Sequence, residues 1–309
     1  MILCAGEALI DMIGQKRKGI KNSDSFRPRV GGSPLNTVVG LARLGTRVAF
    51  LTKIGEDYFG TKIEEFLINE KVEIKYVFKS LNQKTPLAFI ALSQNKVPEY
   101  DFYRQNTADL YITEGEIKEI DIEKFEIFHF GSISLIGGET AKNLTKLFFK
   151  AKEKGKIVSL DPNVRSNLIF DVDEYRKRLI KMMKFADVLK LSVEDMNFFV
   201  PNGTFESFVK DLKREDKLTI LTMGEKGSKA IYRGKDFKVR AMKKGKVVDT
   251  TGCGDAYMAA VLYMINKKRN TLKYEDIHEI MNFASHIAGI VASKYGGASS
   301  MPMKEEVAF

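Results

Sequence analysis

The chain has 309 residues, 44% hydrophobic and 29% charged, enough for one large core or two modest ones. Fifty basic and 40 acidic residues leave a net charge of +10, which points to anionic partners such as nucleotides, nucleic acid or phosphorylated metabolites. No apolar run reaches the roughly 18 residues of a membrane helix, Met1 to Glu7 lacks the basic leader of a secretion signal, and Cys4 and Cys253 are too few for a disulfide framework or a four-thiolate zinc site. The expectation is a cytoplasmic protein.

In chain order, residues 2–10 form an apolar run in which Gly6 to Asp11 reads as a strand ending in a carboxylate. Residues 17–29 are polar and too short for a crossover unit. Gly31-Gly32-Ser33-Pro34-Leu35-Asn36-Thr37 then opens a helix, with Ser33 as its N-cap, Pro34 in the first position and Gly45 past its end. From Thr85 to Arg104, Leu87, Phe89 and Ala91, then Tyr100 and Phe102, recur at period two around a loop signal at Asn95-Lys96, the pattern of an antiparallel hairpin. The hairpin and the early polar stretch form either a small β-lid or edge strands of the main sheet.

Further on, apolar runs at residues 127–130, 157–160, 188–191 and 218–223 end at Gly131, Asp161, Ser192 and Gly224. Helical patterns at residues 141–154 and 175–185 alternate with them. Strands apolar on both faces between helices indicate an α/β protein with a mostly parallel sheet covered on each side. Its ligands are expected at the carboxyl ends of the strands, where the glycines and polar residues fall. Lysine-rich patches at 16–18 and 243–246 are short and scattered, and read as solvated loops.

The strongest chemical signal is Asp249-Thr250-Thr251-Gly252-Cys253-Gly254-Asp255, placed after Val247-Val248 as the end of a strand and before a helical run at 256–265. Its glycines permit a tight turn, and the N–H groups and dipole of the following helix favour a phosphate or an anionic transition state. A carboxylate at such a turn either caps the helix or takes a proton from an attacking group. In the glycine-pair segment, Asn36 is left over once the helix signals are accounted for.

These two segments, with Leu41-Ala42-Arg43-Leu44-Gly45 and Gly296-Gly297-Ala298, resemble the signatures of the ribokinase-like (ribokinase/phosphofructokinase-B) sugar kinases. The resemblance spans nearly the whole chain. It implies a three-layer α/β/α core at residues 1–11, 34–84 and 106–309, with a β-lid at 12–33 and 85–105. It implies ATP-dependent phosphorylation of a hydroxymethyl group with Mg2+, with Asp255 as base and the amides of Gly252, Cys253 and Gly254 as the anion hole. Cys253 stands where alanine is commoner and puts a modifiable thiol beside the base.

For the sugar, the resemblance implies Asp11, Gly31, Gly32, Asn36, Phe102, Arg104, Arg165 and Asp255. Phe102-Tyr103-Arg104, Ala108-Asp109-Leu110 and Asp161-Pro162-Asn163-Val164-Arg165 resemble the fructokinase branch, so fructose to fructose 6-phosphate is expected. The rival is 2-keto-3-deoxygluconate kinase, whose carboxylate substrate would suit two arginines. There a Gly-Ser-Ala-Ala-like run follows the arginine, where this chain has Gln105-Asn106-Thr107-Ala108-Asp109. For ATP, the resemblance implies Lys190, Ser192, Thr222, Gly224, Gly227, Gly252, Gly254 and Asn282. Glu194 and Asp195 would act near magnesium through water, and Asp249 and Thr251 would hold a monovalent cation, K+. The implied partners are a small sugar, ATP and a second copy docked through the lid, with no nucleic acid and no membrane. A non-catalytic nucleic-acid binder would cluster its basic residues on one face, unlike the scattered lysines here.

Overall fold

A computed structural model describes residues 1–15, 18–92, 98–269 and 272–307. Lys16-Arg17 of the first basic patch and the Asn95-Lys96 loop signal lie outside the described residues. The chain-order elements are β1 (Ile2–Ala5), β2 (Leu9–Gly14), β3 (Phe26–Gly31), α1 (Ser33–Arg43), β4 (Val48–Gly55), α2 (Tyr58–Asn69), β5 (Val77–Ser80), β6 (Leu87–Leu92) and β7 (Pro98–Tyr103). They continue with α3 (Glu114–Lys118), β8 (Ile127–Gly131), α4 (Gly138–Glu153), β9 (Ile157–Asp161), α5 (Val172–Phe185), β10 (Val188–Ser192), α6 (Val193–Phe199) and α7 (Phe205–Asp211). The last are β11 (Leu218–Thr222), β12 (Ser228–Tyr232), β13 (Lys235–Val239), α8 (Cys253–Lys268) and α9 (Asp276–Ala292).

Among the described residues the main sheet has the order β13-β12-β11-β10-β9-β8-β1-β4-β5. It is parallel from β11 to β5, and β12 and β13 add an antiparallel edge. Strand β1 shows why helices must cover both faces. Its Ile2 and Cys4 join one apolar cluster with α1, α2, α8 and α9, while Leu3 and Ala5 join another with α3 to α7. Alternate side chains of a strand leave opposite faces, so an all-apolar strand is buried twice. Helix α8 lies in the first cluster with ten residues buried, and being apolar nearly all round it is an interior helix.

Helix starts follow local side chains. Asp57 accepts from the N–H groups of Phe59 and Gly60 and opens α2. Asp171 accepts from Glu174 N and starts α5 at Val172, earlier than the apolar spacing indicated. Helix α4 likewise begins at Gly138, before the stripe expected from residue 141.

The small sheet has the order β3-β2-β6-β7, with β2 parallel to β6 and the outer pairs antiparallel. It is therefore a separate sheet and not an extension of the main one. The apolar run at 2–10 divides into β1 and β2, which enter different sheets, so the strand expected from Gly6 starts at Leu9, past Gly6 with φ 155°. Strand β2 starts at Leu9, so Asp11 lies within the small sheet, and the expected boundary at residue 12 falls inside a strand. Leu9 and Ala88 of this sheet pack with Ile133, backed by Ile90, Phe102, Ile136 and Leu168. The face carrying Asp11 and Phe102 thus looks onto the core across the cleft.

Val247-Val248 is no strand. The N–H groups of Val248 and Asp249 donate to Ala292 O at the end of α9, so this backbone is satisfied by a helix terminus in place of a sheet partner. No helix among the described residues is long and apolar enough to cross a membrane.

Candidate active site

The order of strands reverses at β1, flanked by β8 on one side and β4 on the other, and open α/β sheets bind ligands outside the strand ends at such a point. Glu7, just past β1, reaches over this crevice to Ser134 past β8, accepting from both its N–H and its hydroxyl. Burial pushes the Glu7 carboxyl up, against the pull of Ser134, Ser132 and the Arg104 charge.

Asp255 stands in the first turn of α8, only 7% exposed. Ser33 Oγ donates to its Oδ1 at 2.6 Å and Asn36 Nδ2 donates to its Oδ2 at 2.8 Å. Ser33 therefore does not cap α1, whose N-cap is Gly32 with no side-chain bond. Residues three apart share a helix face, which is how Ser33 and Asn36 grip one carboxylate. Burial raises the Asp255 pKa, and Ser33, Asn36, Lys190 and Arg165 each oppose the rise. Asn36, expected at the sugar, spends its amide N–H on the base, while its buried Oδ1 has no partner among the described residues.

Gly252 precedes α8 at φ 82°, a left-handed conformation that suits glycine. Of the three amides expected in the anion hole, that of Cys253 donates to Thr250 O at 3.2 Å within the turn. Gly254 belongs to the first helical turn, whose N–H groups have no intrahelical partner. The Cys253 thiol points at Ala288 O, and burial with the Asp249 and Asp255 charges pushes it up to about 12. These surroundings disfavour the thiolate, the form in which a cysteine is modified. The Asp249 carboxylate fastens this loop by accepting from Thr251 N at 2.9 Å and Gly296 N at 3.1 Å.

Lys190 in the middle of β10 pairs with Asp161 at the end of β9, 2.8 Å apart and both about 4% exposed or less. A Cβ on Gly254 would lie 3.6 Å from Lys190 Nζ, so the ammonium borders the start of α8. Burial alone would lower Lys190, yet Asp161, Asp195 and Asp255 together raise it, keeping a positive charge beside the helix N-terminus.

On the sugar side, Gly31 and Gly32 make room. A Cβ on Gly31 would stand 2.1 Å from Asp11 Oδ2, and one on Gly32, at φ 113°, would stand 2.6 Å from Glu7 O. Burial and the Asp255 charge push Asp11 up to about 7, with Arg165 opposing. Arg165 Nη1 donates to Asn163 Oδ1 at 2.7 Å and Val164 O at 3.1 Å, which holds its charge over the cleft. Phe102 stacks on Tyr100, with ring centroids 6.3 Å apart. Arg104 is tied by Nε to Asp109 at 2.5 Å.

The nucleotide-side residues are less uniform. Ser192 and Asp195 form a capping box at α6, and Val164 N takes the second Asp195 oxygen at 2.7 Å. Both Asp195 oxygens are thus engaged by backbone, whereas the neighbouring Glu194 is exposed. No group of three or more His, Cys, Asp or Glu among the described residues could hold a metal ion. Thr222 donates to Leu191 O, and Gly224 and Gly227 build the turn between β11 and β12. Gly227 is filled in by Val239 O, while Gly224 faces open space. Asn282 on α9 donates from Nδ2 to His278 Nδ1 at 2.9 Å.

The structure brings Asp11, Gly31, Gly32, Asn36, Arg165, Lys190 and Asp255 to one cleft, and adds Ser33, Glu7 and Asp161. Serine and proline after glycine gave Ser33 a cap reading; its three-residue spacing from Asn36 is the signal that could have placed it.

A buried carboxylate, held by two donors at a helix N-terminus beside a buried lysine, defines a group-transfer site built for an anion. Residues 1–304 match the pfkB family of carbohydrate kinases, and the chain belongs to that family. It is 34% identical to the probable chloroplastic fructokinase-6 of Arabidopsis thaliana, over 99% of this chain and 81% of that one. It is 32% identical to fructokinase-1 of Oryza sativa subsp. japonica, over 99% and 96%. Among solved structures it is similar to fructokinase with bound ATP from Xylella fastidiosa, at TM-score 0.88 and 28% identity, covering 99% of this chain and 96% of that one.

Proposed function

We propose that the protein is an ATP-dependent fructokinase that phosphorylates the 6-hydroxymethyl group of fructose. The observation that carries the reading is Asp255, buried at the first turn of α8 and gripped by Ser33 and Asn36. As base it takes the proton of the attacking hydroxyl, whose oxygen then bonds to the γ-phosphorus as the bond to the ADP oxygen breaks. The α8 N-terminus and Lys190 offset the charge on the transferring group. The raised Asp255 is poised for this work, because a base is most useful with its pKa nearer the working pH.

Fructose is favoured over a sugar acid by charge. Arg104 is compensated by Asp109, and Asp11 and Asp255 face the same cleft. A neutral polyol meets less repulsion there than a carboxylate. The fructokinase relatives support the same choice.

A Mg2+ here would be carried mainly by nucleotide phosphates and waters, because both Asp195 oxygens already accept from backbone and the expected Glu194 is exposed. Bound there, the ion would neutralise phosphate charge. The K+ expected at the carbonyls of Asp249 and Thr251, dimerisation through the lid and a cytoplasmic setting belong to the same proposal. The outer lid face, where Phe89 packs on Phe26 and Tyr103, is the surface for a second copy.

An ATP-consumption screen over fructose, 2-keto-3-deoxygluconate, ribose and adenosine tests the reading. Fructose should give the highest kcat/KM; a higher value for 2-keto-3-deoxygluconate transfers the protein to that sister activity. Activation by K+ over choline and a dimeric elution volume are the expected results for the cation and the lid.

A further inference from the structure

Arg104 leaves the lid just after β7, continuing the period-two face of Tyr100 and Phe102 that looks onto the cleft. Its side chain is 9% exposed, and that of Asp109 is 1% exposed. A guanidinium beside a carboxylate ordinarily bonds it through two parallel N–H groups. Here only Nε does so, at 2.5 Å to Asp109 Oδ2. The other oxygen, Oδ1, accepts from Thr107 Oγ1 at 2.6 Å. The second contact of that hydroxyl, to Arg104 O, is longer at 3.3 Å. Arg104 Nη2 is consequently left buried with no hydrogen-bond partner among the described residues.

A buried charged donor without a partner is costly, and such groups are normally satisfied. The exception calls for a ligand atom. Glu7 lies within electrostatic reach of the same guanidinium, but its carboxylate is already bonded by Ser134. The hairpin legs on either side are fixed as well, since Ala108 N donates to Lys84 O and Lys84 bridges Thr107. The arginine cannot relax by moving its backbone without breaking these ties.

We infer that Thr107 and Asp109 are positioning residues that keep Arg104 monodentate and so reserve Nη2 for an oxygen of the sugar. Asp109 fixes the guanidinium by Nε, and the Thr107 hydroxyl holds the carboxylate turned so that Oδ1 does not meet Nη2. This rests on the fructokinase reading for the identity of the sugar. It assigns a binding consequence to a hydroxyl that never touches substrate.

The experiment is steady-state kinetics and thermal melting of Thr107→Val, Thr107→Ser and Asp109→Asn with fructose and ATP. In Thr107→Val, Asp109 Oδ1 loses its donor and the guanidinium turns to bond both oxygens. Fructose KM should rise about tenfold, with ATP KM unchanged and Tm equal or higher because the ion pair gains a bond. Thr107→Ser retains the hydroxyl and should restore the wild-type KM. Asp109→Asn should raise fructose KM in the same selective way, and combined with Arg104→Ala it should add nothing to Arg104→Ala alone. A wild-type fructose KM in Thr107→Val overturns the inference, and so does a fall in Tm with both KM values rising together, which marks a purely structural role. Failure of the fructokinase reading shows separately, as a wild-type enzyme inactive on fructose; the Val/Ser contrast is then read on the sugar that the wild type does phosphorylate.

Discussion

The two sides of the cleft are built on different plans. On the core side, Asp255 with Asn36 and Lys190 with Asp161 are buried and bonded in pairs, on helices and strands that apolar clusters cover on both faces. On the lid side, a four-stranded sheet carries Asp11, Phe102 and the root of Arg104, yet leaves Tyr100 43% and Tyr103 60% exposed. The chemistry is thus mounted where geometry is stiff, and recognition where the scaffold is thinly packed. Catalytic groups gain most from preorganisation, whereas a recognition surface has to open for its ligand to enter.

If that division is right, losses on the core side fall on kcat and losses on the lid side fall on sugar KM. The largest effect belongs to Asp255→Asn, which should lower kcat by at least about two orders of magnitude while ATP still binds, as read by turnover and nucleotide titration. Near-wild-type turnover would refute the base assignment. Ser33→Ala comes next. Removing a donor to the ionised carboxylate raises the Asp255 pKa further, so the acidic limb of the kcat profile should move to higher pH, with kcat down about tenfold at neutrality.

Gly31→Ala tests the lid. Its Cβ would displace the Asp11 carboxylate, so fructose KM should rise about tenfold with kcat less changed. For Asp11 itself the sign follows from its position near 7. The carboxylate is ionised above that value, so fructose KM should fall as pH rises through about 7, and Asp11→Asn should flatten the profile. The smallest effect concerns Cys253. A thiol pushed up to about 12 should resist iodoacetamide at pH 7, and mass spectrometry showing rapid labelling would contradict its burial.

Much of the core was legible because its signals are local. The apolar runs before Gly131, Asp161, Ser192 and Gly224 name four parallel strands, and the glycines before Asp255 mark a helix N-terminus. The period-two pattern of the hairpin was equally local, and β6 pairs with β7 as Leu87 opposite Tyr103. What stayed hidden depends on contacts between distant segments. Ser33 looks like an ordinary cap until a carboxylate 222 positions away claims its hydroxyl. Residues 2–10 read as one apolar run because hydropathy does not tell which sheet a residue enters. Val247-Val248 has strand composition, but the end of α9 takes its hydrogen bonds. Asp195 reads as a metal-side acid, and only the fold shows that Ser192 N and Val164 N also donate to its two oxygens.

The separation between Asn36 and Asp255, 219 positions, also orders the molecule in time. A ribosome delivers the lid strands, the sugar-side aspartate and most of the sheet well before the base emerges. Until α8 is released, Ser33 and Asn36 face no carboxylate, and the nascent chain has no means of activating a hydroxyl. Termination anywhere in that interval yields a fragment that lacks the base.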